Sequence, residues 1–145
     1  MAESVRVHHC GITVSNLERA VEWYSTAFGL KPGLILEVSG PSGEKVLRMP
    51  PHTHRAALLP VGNFAIELLE FIPKGKDFSG RQDDVGYVYL CFEVDDLDGV
   101  YERMSQAGYD FHTPPMIGEE GQISGSKFCV MRDPDGKTIE FIETG

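Results

Sequence analysis

Three side chains in this sequence carry donor atoms that could act together: the imidazole of His9 and the carboxylates of Glu67 and Glu140. Each sits where apolar residues alternate, so strand geometry decides which way it points. In HCGITV (9–14), Cys10, Ile12 and Val14 form the apolar row and leave His9, Gly11 and Thr13 on the opposite, concave face. In FAIELLEF (64–71) the row is Phe64, Ile66 and Leu68, and in KTIEFIET (137–144) it is Ile139 and Phe141, so Glu67 and Glu140 also face the cavity. Two carboxylates and an imidazole on such a surface are costly to bury without a partner. A divalent cation would neutralise them, taking nitrogen from His9 and oxygen from Glu67 and Glu140. A carboxylate left uncoordinated could instead move a proton, which makes Glu67 and Glu140 the candidate catalytic residues. The plainer alternative is a histidine satisfied in a polar cleft beside two solvated strand carboxylates.

Other residues are candidates for touching a small-molecule substrate. Alternation in YVYLCFEV (87–94) puts Leu90, Phe92 and Val94 in the apolar row and turns Tyr89, Cys91 and Glu93 to the cavity. Tyr89 offers a hydroxyl donor, and Cys91 is either a contact or a small filler. His112, in FHTPP, is a further candidate contact. His52 and His54 fall in a Gly- and Pro-rich stretch and read as solvated loop residues.

The elements that must position these residues occur twice. Residues 5–30 read as a strand, a cap and a helix: Asn16 caps, Leu17, Ala20, Val21, Tyr24 and Phe28 recur at helical spacing, and Gly29 stops. Residues 87–108 repeat the plan, with Asp96 as the cap and Gly108 as the stop. Val14 and Leu17 match Val94 and Leu97 at an offset of 80, and Glu67 matches Glu140 at an offset of 73. The surplus of the first copy is assigned to a long hairpin loop over 39–55. Weaker strand signals lie at 33–38 and 56–60, then at 109–113 and 127–132, and Asp133-Pro134-Asp135-Gly136 is a turn. The expected architecture is α+β: two β-α-β-β-β modules, 1–72 and 87–145, joined by a linker over 73–86, in a cupped mixed sheet around a cavity. A module of about 70 residues has one helix, which covers one face of its sheet, so the other faces should pair or curve around that cavity.

Composition narrows the partners. A net charge of −9 repels phosphate backbones, which argues against nucleic acid. No apolar run reaches the roughly 18 residues a membrane span needs. Met1-Ala2-Glu3-Ser4 has no basic start, so no secretory leader is expected. The three cysteines form neither a disulfide framework nor a CxxC pair, and a soluble cytoplasmic protein with reduced thiols is expected.

The doubled pattern, with HHCGITVSNLERAVEWY, LCFEVDDLDGVYERM and DPDGKTIEFIE as its most specific pieces, resembles the vicinal oxygen chelate superfamily. That superfamily includes glyoxalases, extradiol dioxygenases, methylmalonyl-CoA epimerases, fosfomycin-resistance enzymes and bleomycin-binding proteins. The resemblance runs from Val7 to Glu143. It implies a divalent metal (Fe, Mn, Ni, Co, Zn or Mg) held by the first and last strand of each module, at His9, Glu67, Tyr89 and Glu140. Tyr89 stands where the family usually has His, which leaves His9, Glu67 and Glu140 as the ligand set. The resemblance further implies a homodimer and a glyoxalase-like isomerase, epimerase or lyase passing through an enolate-type intermediate. The alternatives are an extradiol-type dioxygenase and a metal-free binding or resistance protein of the bleomycin-binding type. A dioxygenase needs two His and one carboxylate, so Tyr89 weighs against it.

Overall fold

The computed structural model describes residues 6–87, 89–119 and 124–145. The chain divides into two compact units, Met1–Asp77 and Phe78–Gly145. Each is built on a four-stranded mixed sheet, so the fold is α+β, as the alternation and repeat lead one to expect.

In the first unit the order is β1 (His9–Thr13), α1 (Leu17–Phe28), β2 (Ile35–Ser39), α2 (Pro41–Leu47), β3 (Thr53–Val61) and β4 (Phe64–Ile72). The sheet runs β1-β4-β3-β2, with β1 parallel to β4 and the other neighbours antiparallel. Asn16 starts α1 by accepting from the Arg19 N–H at 2.8 Å. Gly29 ends it at φ 65°, a left-handed conformation that suits a residue without Cβ. The helix stripe then meets the apolar row of the sheet: Leu17, Tyr24, Leu59, Ile66 and Leu68 are fully buried. Removing each such side chain from water contributes about 1.5–3 kcal/mol.

The second unit repeats the plan with β5 (Tyr89–Glu93), α3 (Leu97–Gln106), β6 (Met116–Ile117), β7 (Lys127–Arg132) and β8 (Thr138–Glu143). Its sheet order, β5-β8-β7-β6, matches the first strand for strand. Asp96 caps α3 through the Gly99 N–H at 3.0 Å. Leu97, Met131, Ile139 and Cys129 form the buried centre.

Both units brace the helix to the sheet in the same way. Arg55 of β3 reaches Glu18 in the first turn of α1 and Glu70 of β4, the latter at 3.2 Å. Lys127 of β7 reaches Asp98 in the first turn of α3 at 2.5 Å and Glu143 of β8 at 3.3 Å. Glu143 also accepts the Leu97 N–H at 2.7 Å.

Two local readings change. The 39–55 stretch is no simple loop: Pro41 starts α2 at the position where its missing N–H costs nothing, and β3 begins at Thr53. The expected strand over 109–113 is reduced to one bridge, Phe111 to Met131, and β6 comes later, at Met116–Ile117. Pro114 and Pro115 interrupt that stretch because proline cannot donate to a ladder.

Candidate functional site

The strand parity is as the alternation requires. Along β1 and β5 exposure alternates, with His9, Gly11 and Thr13, and Tyr89, Cys91 and Glu93, on the more open face. On β4, Ile66 and Leu68 pack under α1, and on β8, Ile139 and Phe141 are buried, so Glu67 and Glu140 point the other way. We call the side of each sheet turned away from α1 or α3 its open face.

In the first unit the structure joins two of the candidates. Parallel register sets Gly11 beside Glu67. Glycine leaves the space there free: a Cβ on Gly11 would lie 3.3 Å from Leu69 Cδ1 and 3.8 Å from Glu67 Oε2. Glu67 therefore leans across to His9, with Oε2 3.3 Å from His9 Nε2. The pair is accessible, His9 being 40% and Glu67 22% exposed. His8, which no sequence pattern singles out, brings its Nδ1 to 2.7 Å from His9 Nδ1. That contact fixes the ring and leaves Nε2 aimed at Glu67, the arrangement by which a ligand imidazole is oriented.

The second unit arranges the matching positions differently. Cys91 pairs with Glu140 in register, which sets its thiol beside the Glu140 carboxylate. Desolvation first, then the Glu140 charge, push the Cys91 thiol up to about 12, so it stays protonated and is no nucleophile at neutral pH. Tyr89 is 53% exposed, with its ring on the open face. His112 is exposed, and its Nε2 accepts from Arg132 Nε at 3.0 Å.

The residues of the first unit fit a divalent cation. Two ligands each about 2.1 Å from a cation stand about 3 Å apart, close to the His9–Glu67 separation. The donor set, one imidazole nitrogen and one carboxylate oxygen, suits borderline divalent ions. Among the described residues, no three His, Cys, Asp or Glu side chains of either unit gather into a ready cluster.

One further polar group lies on the open face of the first unit. His54, on β3, pairs in register with Phe71. His52 lies beside it, and both are half-buried rather than solvated loop residues. An H-x-H spacing puts both histidines on one face if β3 starts by residue 52 or 53, a signal hidden by the neighbouring prolines.

Comparison with known proteins agrees with this architecture. A glyoxalase family protein from Bacillus cereus superposes with a TM-score of 0.78 at 21% identity, covering 99% of this chain and 97% of that one. A 2-epi-5-epi-valiolone epimerase from Actinomyces sp is 29% identical over 96% of this chain and 79% of its own length. An ethylmalonyl-CoA/methylmalonyl-CoA epimerase from Cereibacter sphaeroides is 28% identical over 81% of this chain and 83% of its own length. No helix among the described residues is long and apolar enough to cross a membrane. The model of the Glyoxalase/Bleomycin resistance protein/Dioxygenase superfamily matches residues 6–141, and with its doubled sheets and strand-borne His and Glu this chain belongs to that superfamily, the vicinal oxygen chelate proteins.

Proposed function

We propose that the protein is a divalent-metal-dependent enzyme that moves a proton next to a carbonyl of a small oxygenated substrate, an isomerase or epimerase. The observation that carries this reading is the His9–Glu67 pair, an N and an O donor held 3.3 Å apart on an accessible sheet face. His9 and Glu67 are assigned as the residues of the first unit that would hold the cation, with Glu140 the equivalent carboxylate of the second unit. When bound, the cation supplies positive charge that stabilises an enolate-type intermediate. Within the chain, His8 orients the His9 ring and Gly11 leaves Glu67 room to turn. Glu67 or Glu140 takes the proton from the carbon and returns it. Tyr89 donates its hydroxyl to a substrate oxygen. Cys91 and the exposed His112 are assigned as further substrate contacts of the second unit.

The two epimerase relatives favour this class over a lyase, and they name two substrates to try. The test is uptake of deuterium from D₂O beside the carbonyl of 2-epi-5-epi-valiolone and of methylmalonyl-CoA, with and without added Mn²⁺, Co²⁺ or Zn²⁺. Metal-dependent exchange that Glu67→Gln abolishes is the expected result. A wild-type protein that binds no divalent ion by calorimetry would overturn the reading. A metal-free binding module would then be the better description, with Tyr89 as the aromatic contact.

A further inference from the structure

We propose that His52 and His54 form a two-imidazole relay that makes His54 a hydrogen-bond acceptor and base for a hydroxyl-bearing ligand on the open face of the first unit. This deepens the function proposed above and rests on it for the location of the substrate. Hydrogen-bond partners fix the tautomers of both rings. His52 Nδ1 lies 2.9 Å from the Pro50 carbonyl, which can only accept, so Nδ1 carries the proton. A neutral His52 then has its lone pair on Nε2, and that atom is 3.2 Å from His54 Nδ1. His54 Nδ1 must donate, which leaves the lone pair of His54 on its Nε2.

Ring geometry favours a hydrogen bond over a second metal site. The ring centres are 5.4 Å apart with planes 25° from parallel. That separation exceeds the nitrogen–nitrogen distance by about two ring radii, so the two nitrogens lie on the line between the centres. Two ligands of one cation would instead turn their lone pairs off that line to converge on it.

A proton accepted at His54 Nε2 gives an imidazolium whose Nδ1–H still points at His52, and the charge spreads over both rings. A second proton would break the N–H···N bond and set two like charges side by side, so the pair takes up one. The groups around His54 leave it this role. Phe71 of β4 backs both rings, at 5.4 Å from His52 and 5.3 Å from His54. Val38 lies on the neighbouring strand, and the Cβ position of Gly43 on α2 is 3.7 Å from His54 Cε1. Glu44 and Lys45 follow Gly43 on that helix, and Arg55, next along β3, is committed to Glu18 and Glu70 on the other face. A neutral pair with one outward lone pair selects a neutral donor, a hydroxyl, over a carboxylate or phosphate. Phe71 stands four residues beyond Glu67 on β4, about 13 Å along the strand, so His54 meets a part of the ligand remote from the cation pair.

The test uses the full chain labelled with ¹⁵N, without added metal. Long-range ¹H–¹⁵N spectra should show both imidazoles with the proton on Nδ1. Diethyl pyrocarbonate acylates an unprotonated imidazole nitrogen, releasing ethanol and carbon dioxide. It should modify His54 faster than His112, whose Nε2 is engaged by Arg132. His52→Phe keeps a ring beside Phe71 but removes the relay, and should slow His54 to the rate of His112. Added 2-epi-5-epi-valiolone, a hydroxylated ketone, should protect His54 and leave His112 unchanged. An Nε2–H tautomer at His54, or no protection, would each overturn the proposal. Loss of cation binding with His54 protection intact would instead count against the metal reading alone.

Discussion

The two units of this chain keep the same brace and differ on the same open face. Glu18, Arg55 and Glu70 in the first are matched by Asp98, Lys127 and Glu143 in the second, at equivalent places on helix, third strand and fourth strand. On the open face, His9 is replaced by Tyr89 and Gly11 by Cys91, while Glu67 and Glu140 persist. The brace serves the packing of helix on sheet, which both units need. On the open face one unit presents a donor pair, while the other sets its carboxylate beside a thiol. The scaffold is repeated in both units, and the polar groups of the open face are not.

The sharpest way to break this contrast is at the donor pair. His9→Ala should weaken Mn²⁺ or Zn²⁺ binding, read by calorimetry, by more than about 100-fold, because loss of a mere supporting partner already costs 10–100-fold. Tyr89→Ala should change it little. If the two variants behave alike, the units do not differ as argued.

A graft makes the first unit resemble the second. Gly11→Cys places a thiol where it can take Glu67 from His9, and should lower cation affinity about tenfold. Gly11→Ala adds bulk against Leu69 without a donor, and should cost less. The reverse change, Tyr89→His, puts an imidazole at the matching place of the second unit and should give that unit cation binding of its own, in the same titration.

Cys91 offers a third test. With its thiol pushed up to about 12, it should react slowly with iodoacetamide at pH 8 although it is exposed, and faster as pH rises. Glu140→Gln removes the adjacent negative charge, lowers the thiol pKa, and should speed alkylation. An unchanged rate would show that Glu140 does not hold Cys91. The smallest effect is expected at the braces. Arg55→Gln and Lys127→Gln should each lower the melting temperature slightly and to a similar degree, and high salt should shrink both effects.

Much of this was legible in the sequence, because period and caps were strong where they mattered. The stripes and caps of α1 and α3 place both helices between the Asn16 and Asp96 caps and the Gly29 and Gly108 stops, as expected. The alternation around His9, Glu67 and Glu140 gives their facing, because one buried row leaves only one other side. The His9–Glu67 contact was not legible, since it depends on register between strands far apart in sequence and on the space left by Gly11. α2 was hidden because Pro41, Ser42 and Gly43 are poor helix formers, and tertiary context outweighs propensity in so short a helix. The same misreading put His52 and His54 in a loop and concealed their pairing.

Strand β2 has a consequence for how the protein must be kept. It is the last strand of its sheet, all five of its residues are exposed, and Ile35, Leu36 and Val38 are apolar. A strand end of that kind offers its free backbone to any other chain in solution. Glu37, at its centre, is the single charge set against such pairing. Concentrated stocks should therefore be prone to clumping, and a Glu37→Val preparation should cloud first.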